Sequence, residues 1–259
     1  MRRSVILAAV AVMSLSSMGC MGVMGTPTPT TPTLTPADYA EILAAPIRPA
    51  DDRARDAARH TAETLAFAQV RPGQKIADMI IGGGYFTRVF SAAVGPQGRV
   101  IAWQPAEFIA FQASYGDSLT AADSLANVDA IRSPIAAPDF PTGLDLVFTA
   151  QNYHDLHLSM APADTAARVN AAVFEALKPG GLYVIIDHHA VAGSPLTAAN
   201  TVHRIDIEAV KREVLAAGFV LDGESDLLAN GADPRTANVF DGTIRGRTSQ
   251  FMLRFRKPS

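Results

Sequence analysis

Short apolar runs alternate with segments of helical periodicity along most of this 259-residue chain. Apolar runs that end at glycine, proline or polar residues are typical of buried strands, and apolar residues three or four positions apart are typical of helices. Strands that are apolar throughout indicate a parallel sheet with helices on both faces. The alternation therefore predicts an α/β domain whose ligands bind beyond the carboxyl ends of the strands.

The individual elements follow from the same pattern. The predicted strands are 75–81, 99–103, 128–131, 144–149, 182–187 and 250–256, and the predicted helices are 52–69, 85–94, 105–115, 163–177 and 207–217. The strand ends that the ligand rule selects are 80–84, 103–105, 149–155 and 187–189. We expect the functional residues to lie in these short stretches.

The N-terminus has the order of a secretory signal. Arg2 and Arg3 precede an apolar run at 5–15, which is too short to span a bilayer as a helix, and small residues follow. Cys20 is the only cysteine, and Gly19-Cys20 resembles the lipid-attachment site of bacterial lipoproteins. We predict a signal peptide at 1–20 and an extracytoplasmic protein. We expect a lipid on Cys20 to be the only contact of the protein with the membrane. Secretion without a lipid is the alternative.

A spacer separates this signal from the folded body. Residues 26–36 read TPTPTTPTLTP, and proline at this density favours extended polyproline II structure and cannot build a core. We therefore predict a proline- and threonine-rich linker at 21–37 and one folded domain at 38–259.

Composition restricts the partners of that domain. Hydrophobic residues make up 48% of the chain and charged residues 18%, as in a globular protein with a core. The net charge is −3, and no basic cluster could follow a phosphate backbone, so we do not expect a nucleic acid partner. A small molecule is the expected partner, and the oligomeric state stays open.

The stretch 70–105 combines a predicted strand, a glycine triplet, a predicted helix and a second strand. It resembles the first two strands of class I S-adenosylmethionine (SAM)-dependent methyltransferases, and 144–156 and 174–187 resemble their fourth and fifth strands. The C-terminal tail is similar to that of a bacterial subfamily of predicted methyltransferases. The resemblance implies a Rossmann-like, doubly wound, mostly parallel seven-stranded sheet with helices on both faces. It also implies SAM as the cofactor, with contacts from Asp78, Gly82, Gly83, Gly84, Tyr85 and Gln104.

Two positions depart from the family pattern. Ile80 stands where the family has its first glycine, and a β-branched residue at positive φ is strained by about 1–2 kcal/mol. We therefore expect a turn of different shape. Gln104 stands where the family has an acid that binds the ribose hydroxyls. Because a neutral hydrogen bond is weaker than a charged one, SAM affinity is expected to fall roughly tenfold.

Polar residues follow the fourth and fifth predicted strands. His154 and Asp155 are candidates for removing a proton from the methyl acceptor, and Asp187 and His188 for orienting it. Neither cluster has the HExxH spacing of a zinc site, and cysteine ligands are absent, so no metal is predicted. His203 or Arg204 could also reach the pocket.

The resemblance thus implies a SAM-dependent methyltransferase acting on a small acceptor. The alternative is a non-catalytic, extracytoplasmic ligand-binding protein on the same fold, which would suit Ile80, Gln104 and export. A third hypothesis rests on 116–119, which reads GDSL like the serine motif of a secreted esterase family. No D-x-x-H sequence supplies a histidine for Ser118, so this match is interpreted as chance.

Overall fold

A seven-stranded sheet in the order β3-β2-β1-β4-β5-β7-β6 forms the centre of the molecule. The structure is a computed structural model and describes residues 34–259. Strands β1 to β5 run parallel to one another, and β7 runs antiparallel to both β5 and β6. The strands are β1 Lys75–Met79, β2 Arg99–Pro105, β3 Val128–Ser133, β4 Leu144–Ala150, β5 Leu177–His188, β6 Val220–Ser225 and β7 Gln250–Arg256. The predicted fold class is confirmed.

Helices precede, join and follow these strands. They are α1 Ala40–Leu43, α2 Ala50–Arg53, α3 Thr61–Phe67, α4 Tyr85–Val94, α5 Ala106–Phe111, α6 Ser114–Asp123, α7 Thr165–Ala176, α8 Ala198–Thr201 and α9 Ile207–Ala216. Two short 3-10 helices, Pro36–Tyr39 and Tyr153–His157, complete the set. Within residues 34–259, no helix is both long and apolar enough to cross a bilayer. The predicted signal peptide, the lipid on Cys20 and most of the predicted linker lie outside the described residues.

Both faces of the sheet are buried because successive strand residues point in opposite directions. Ile76 belongs to the hydrophobic cluster that packs against α3, α4 and α6, whereas the next residue, Ala77, belongs to the cluster under α7 and α9. Apolar residues are therefore needed at most positions of the inner strands, on both faces. This explains why their sequences read as continuous apolar runs.

The strand order reverses between β1 and β4, and the two chain connections leave these neighbours toward opposite faces. Helix α4, which follows β1, contributes Phe90 to one cluster, and α7, which follows β4, contributes Val169 to the other. A crevice therefore opens at the carboxyl ends of β1 and β4, where open α/β sheets bind ligands.

The helix predicted at 52–69 is wrong in its middle. Helix α2 ends at Arg53, the segment up to His60 forms turns, and His60 itself has a φ of 45°. Asp52 accepts a hydrogen bond from Arg88, and Asp56 accepts one from Tyr85. These contacts tie the segment to α4, and tertiary hydrogen bonds thus replace a continuous helix.

Two further elements differ from the sequence prediction. The helix predicted at 105–115 breaks at Gln112, which is extended with a φ of −141°, and α6 begins at Ser114. Strand β6 is missing from the sequence prediction because none of its side chains is buried and only Val220 and Leu221 of its six residues are apolar. Asp222 fixes this edge strand by accepting hydrogen bonds from Arg254 and Arg256 of β7.

Candidate functional site

A cavity of about 740 Å³ opens at the carboxyl ends of β1, β4 and β5. The turn after β1 forms one wall, and the loops after β4 and β5 form the opposite wall. Of the predicted site residues, Asp78, Gly82, Gly83, Tyr85, His154, Asp155 and His188 line the cavity. Gly84, Gln104 and Asp187 lie behind its walls.

The glycine turn leaves its backbone open to the cavity. A Cβ added at Gly82 or Gly83 would meet no atom within 4 Å. Gly82 has a φ of 54°, which disfavours other residues, whereas the φ of Gly83 lies outside the left-handed region. Gly84, at a φ of 73°, begins α4, and a Cβ there would lie 2.9 Å from Nη1 of Arg88. Gly82 and Gly83 therefore provide an open surface, while Gly84 shapes the turn.

Ile80 adopts the conformation that normally favours glycine, with a φ of 63°. Its amide and that of Ile81 both donate to the carbonyl oxygen of Trp103, at 2.9 and 3.2 Å. Its carbonyl oxygen accepts a hydrogen bond of 2.9 Å from the Asn152 side chain. Because these bonds and the burial of Ile80 fix the backbone, the local strain persists, as is common at functional sites.

Gln104 supports the turn instead of facing the cavity. Its Oε1 accepts a 3.0 Å hydrogen bond from the amide of Gly82, and the residue is fully buried. Its Nε2 has no hydrogen-bond partner within the part of the chain that the structure describes. The ribose contact that the resemblance implied for Gln104 is therefore replaced, in this structure, by a contact to the turn backbone.

Asp78 lies at the end of β1, where its carboxylate accepts a 2.6 Å hydrogen bond from the hydroxyl of Thr87. Burial raises the pKa of this carboxyl to about 7, against the opposing effects of Thr87 and the nearby Arg88. Asp78 therefore gains or loses its charge close to neutral pH.

Arg55 and Arg59 also line the cavity, although nothing in the sequence marked them. The guanidinium of Arg59 lies 4.7 Å from the ring centre of Tyr85 and 5.7 Å from that of Phe86. Among residues 34–259, no carboxylate oxygen lies within 4.0 Å of it, whereas Arg55 pairs with Asp52 at 2.7 Å. Arg59 thus offers a half-buried positive charge beside the glycine turn.

The opposite wall is organised by Asp187, the penultimate residue of β5, which is fully buried. Its carboxylate accepts hydrogen bonds of 2.7 Å from the amides of His154 and His188. The same carboxylate lies 2.9 Å from Nδ1 of His154, which leaves Nε2 of that ring facing Asp155 at 3.3 Å. Asp187 positions the ring and does not itself reach a ligand in the cavity.

The charges of this wall are strongly coupled. Burial opposes the charge on His154, but Asp187 and Asp155 outweigh it and raise the pKa of the imidazole to about 9. Burial raises the pKa of Asp155 to about 6, although His154 acts in the opposite direction. Burial lowers the pKa of His188 to about 4, so its ring, hydrogen-bonded through Nδ1 to Thr248, is neutral.

His203 completes this wall, whereas Arg204 does not reach the cavity. Arg204 forms a fully buried ion pair with Asp233, at 2.8 Å, and donates to the carbonyl oxygen of His189 after β5. These bonds hold the segment that contains Arg204. They thereby place the ring of the neighbouring His203 on the cavity wall, with its centre 5.0 Å from the ring centre of Phe240.

The GDSL stretch lies within α6. Ser118 donates its hydroxyl to the carbonyl oxygen of Ser114 one turn earlier and is not a cavity residue. A helical serine whose hydroxyl is bonded to its own helix is not positioned as a nucleophile.

The raised pKa of Asp78 predicts how its replacement changes stability with pH. A carboxyl whose pKa is higher in the folded than in the unfolded protein stabilises the fold below about pH 4, and this contribution is lost as the pH rises through about 7. We expect Asp78→Asn to raise the Tm at pH 8, by about 2–4 °C per kcal/mol recovered, and to have little effect near pH 4.5. Thermal unfolding followed by circular dichroism measures this, with the exposed Asp139→Asn as control. An equal change in Tm at both pH values would contradict it.

The sequence matches no family profile and no curated protein. Its structure is similar to a SAM-dependent methyltransferase from Aquifex aeolicus, with 17% identity and a TM-score of 0.54 over 86% of this chain and 98% of that one. A SAM-dependent methyltransferase from Mesorhizobium loti has 17% identity and a TM-score of 0.51 over 77% and 97% of the two chains. The [4+2]-cyclase SpnF has 16% identity and a TM-score of 0.54 over 78% and 81%. At these identities the likeness shows the fold alone, which is that of SAM-dependent methyltransferases.

Proposed function

We propose that this chain binds SAM in the cavity and transfers a methyl group to a small acceptor held against His154, Asp155 and His188. The observation that carries the proposal is one continuous cavity of about 740 Å³, which extends from Gly82 and Gly83 to these three side chains. Its volume lies within the range of roughly 300–1,000 Å³ that is typical of small-molecule sites.

The near wall fits the charged end of SAM. The open backbone at Gly82 and Gly83 allows a ligand to lie against the turn. The guanidinium of Arg59, which has no carboxylate partner among residues 34–259, suits the carboxylate of the methionine part, and the Asp78 carboxylate suits its ammonium group. Both charges of this end of the cofactor therefore have a partner of opposite sign.

The far wall suits the acceptor. When bound, SAM supplies a methyl group that an acceptor atom displaces in line, so that the electron pair of the broken C–S bond stays on sulfur. Asp155, which lies 3.3 Å from Nε2 of the His154 imidazolium, is the proton-accepting group that faces such an acceptor, and the charge of His154 favours the ionised form of Asp155. His188 and the aromatic ring of Tyr115 orient it and limit the access of water.

A second function is favoured by a specific observation. Because Gln104 bonds to Gly82 and not to the cavity, the ribose hydroxyls lack the ionised partner that the family resemblance implies. A neighbour of the same fold is named a [4+2]-cyclase, so the fold by itself does not fix methyl transfer. The alternative is a non-catalytic ligand-binding protein, and the proposed extracytoplasmic location, with a lipid on Cys20, suits it because SAM is made in the cytosol.

Gly83→Leu tests the cofactor site. Its side chain enters open space without backbone strain, so we expect it to fill the cavity, leave the fold intact and abolish SAM binding. Isothermal titration calorimetry with SAM and S-adenosylhomocysteine measures this, and Gly231→Leu, at an exposed glycine with equally open surroundings, is the matched control. If the wild-type chain binds neither ligand at millimolar concentration, the methyltransferase proposal fails and the alternative stands.

Arg59→Met tests the orientation of SAM. Methionine keeps the contact with Tyr85 and Phe86 but removes the charge, so the dissociation constant for SAM should rise roughly 10- to 100-fold. Adenosine has no carboxylate, so its affinity should not change. The exposed Arg168→Met is the control. An equal loss of affinity for SAM and for adenosine would mean that the carboxylate of SAM does not bind Arg59.

A further inference from the structure

Three side chains that could bind a metal ion meet on the far wall of the cavity. His154 and Asp155 follow β4, and His203 follows α8. Each offers one ligand atom, and all three atoms lie within 4.8 Å of one another. Donor atoms around a tetrahedral ion with bonds near 2.0–2.1 Å are about 3.4 Å apart. Nε2 of His154 and Oδ1 of Asp155 are already at this spacing, at 3.3 Å.

The ring of His154 is held as metal-bound histidines are held. Its Nδ1 lies 2.9 Å from the fully buried carboxylate of Asp187, which also accepts the amide hydrogens of His154 and His188. A histidine that binds a metal through one nitrogen usually donates the other N–H to a carboxylate, which fixes its tautomer and orientation. This arrangement directs the lone pair of Nε2 toward Asp155 and His203.

An ion pair without a metal accounts for less of this geometry. A charged His154 between Asp155 and Asp187 explains the two carboxylates, but it gives no reason for the second imidazole, whose ring centre lies 5.6 Å from that of His154. His203 also has a φ of 53°, a conformation that few residues other than glycine adopt. The buried Arg204–Asp233 pair next to it holds the segment in this position.

We propose that His154, Asp155 and His203 bind one divalent transition-metal ion of the zinc or iron(II) class. Two imidazoles and one carboxylate suit these ions, whereas Ca²⁺ and Mg²⁺ prefer oxygen ligands alone. Three protein ligands leave at least one coordination position free, as in catalytic zinc sites. All three side chains line the cavity, so the free position faces it. This proposal departs from the sequence prediction of no metal, which considered only local spacing, because the third ligand lies in a distant segment.

This site goes beyond the proposed function and narrows its acceptor. A metal-bound hydroxyl or thiol loses its proton more readily than a free one, because the ion stabilises the anion. With the ion bound, the ligand atoms of His154 and Asp155 no longer accept that proton, which passes to solvent. If SAM binds as proposed, the acceptor belongs to the class of hydroxyl or thiol compounds that coordinate through an ionised oxygen or sulfur atom. The metal site itself does not depend on methyl transfer.

Metal binding to the full chain, after removal of bound metal with a chelator, tests this inference. Equilibrium dialysis against Zn²⁺ with metal analysis should give one ion per chain, and Co²⁺ should give visible absorption bands of a nitrogen- and oxygen-ligated site. We expect Asp155→Asn and His203→Asn to lower the affinity at least tenfold. Asparagine tolerates positive φ, so the second variant removes the imidazole without new backbone strain. His60→Asn, in the exposed pair with Glu63, is the matched control and should bind as the wild type does.

Less than one ion per chain at micromolar Zn²⁺ would overturn the metal site, as would a His203→Asn variant that binds like the wild type. Circular dichroism spectra of both variants test whether they are folded. Calorimetry with SAM on the metal-free chain separates the two proposals: SAM binding without metal binding refutes only the metal site, and metal binding without SAM binding refutes only the methyltransferase.

Discussion

The buried carboxylate of Asp187 is the contact on which the far wall of the cavity depends. It accepts the amide hydrogens of His154 and His188 and lies 2.9 Å from Nδ1 of His154, so one side chain of β5 fixes the segment that follows β4. A buried carboxylate is costly unless it is fully hydrogen-bonded or paired. His154 cannot move away without leaving that charge unsatisfied, and the ring therefore keeps one orientation toward the cavity.

The near wall depends on a comparable constraint in the backbone. The strained φ of Ile80 is maintained by hydrogen bonds to Trp103 and Asn152, which come from β2 and from the loop after β4. Gln104 adds a bond to Gly82 in the same turn. Two chain segments, β2 and the loop after β4, thus determine the shape of a turn whose first glycine is missing. The cavity beside the turn stays open for this reason, even though the local sequence departs from the family pattern.

The sequence predicts the parts of the fold that local periodicity controls. Helix α4 and strand β7 were predicted with their observed bounds, because each has a regular apolar pattern and clear ends. The prediction of a continuous helix at 52–69 is wrong because hydrogen bonds that Arg88 and Tyr85 of α4 donate to Asp52 and Asp56 override the helix propensity. The positions of the site residues followed from the rule about strand ends, but Arg59 lies on a turn outside every predicted strand end. Only the tertiary fold brings it to the cavity.

The difference between local sequence pattern and tertiary contact also explains why the chemical role of a residue is harder to predict than its position. His154 and Asp155 are adjacent in the sequence, and their place at a sheet edge indicates a function without specifying it. The identity of that function depends on the groups that face them, namely Asp187 behind the ring and His203 in front of it. If Asp187 were its only partner, His154 would act as a cation or a base. Together, however, His154, Asp155 and His203 have the composition of a catalytic metal site. The role of a histidine is thus determined by residues up to 49 positions away in the chain, and a reading of local motifs could not supply it.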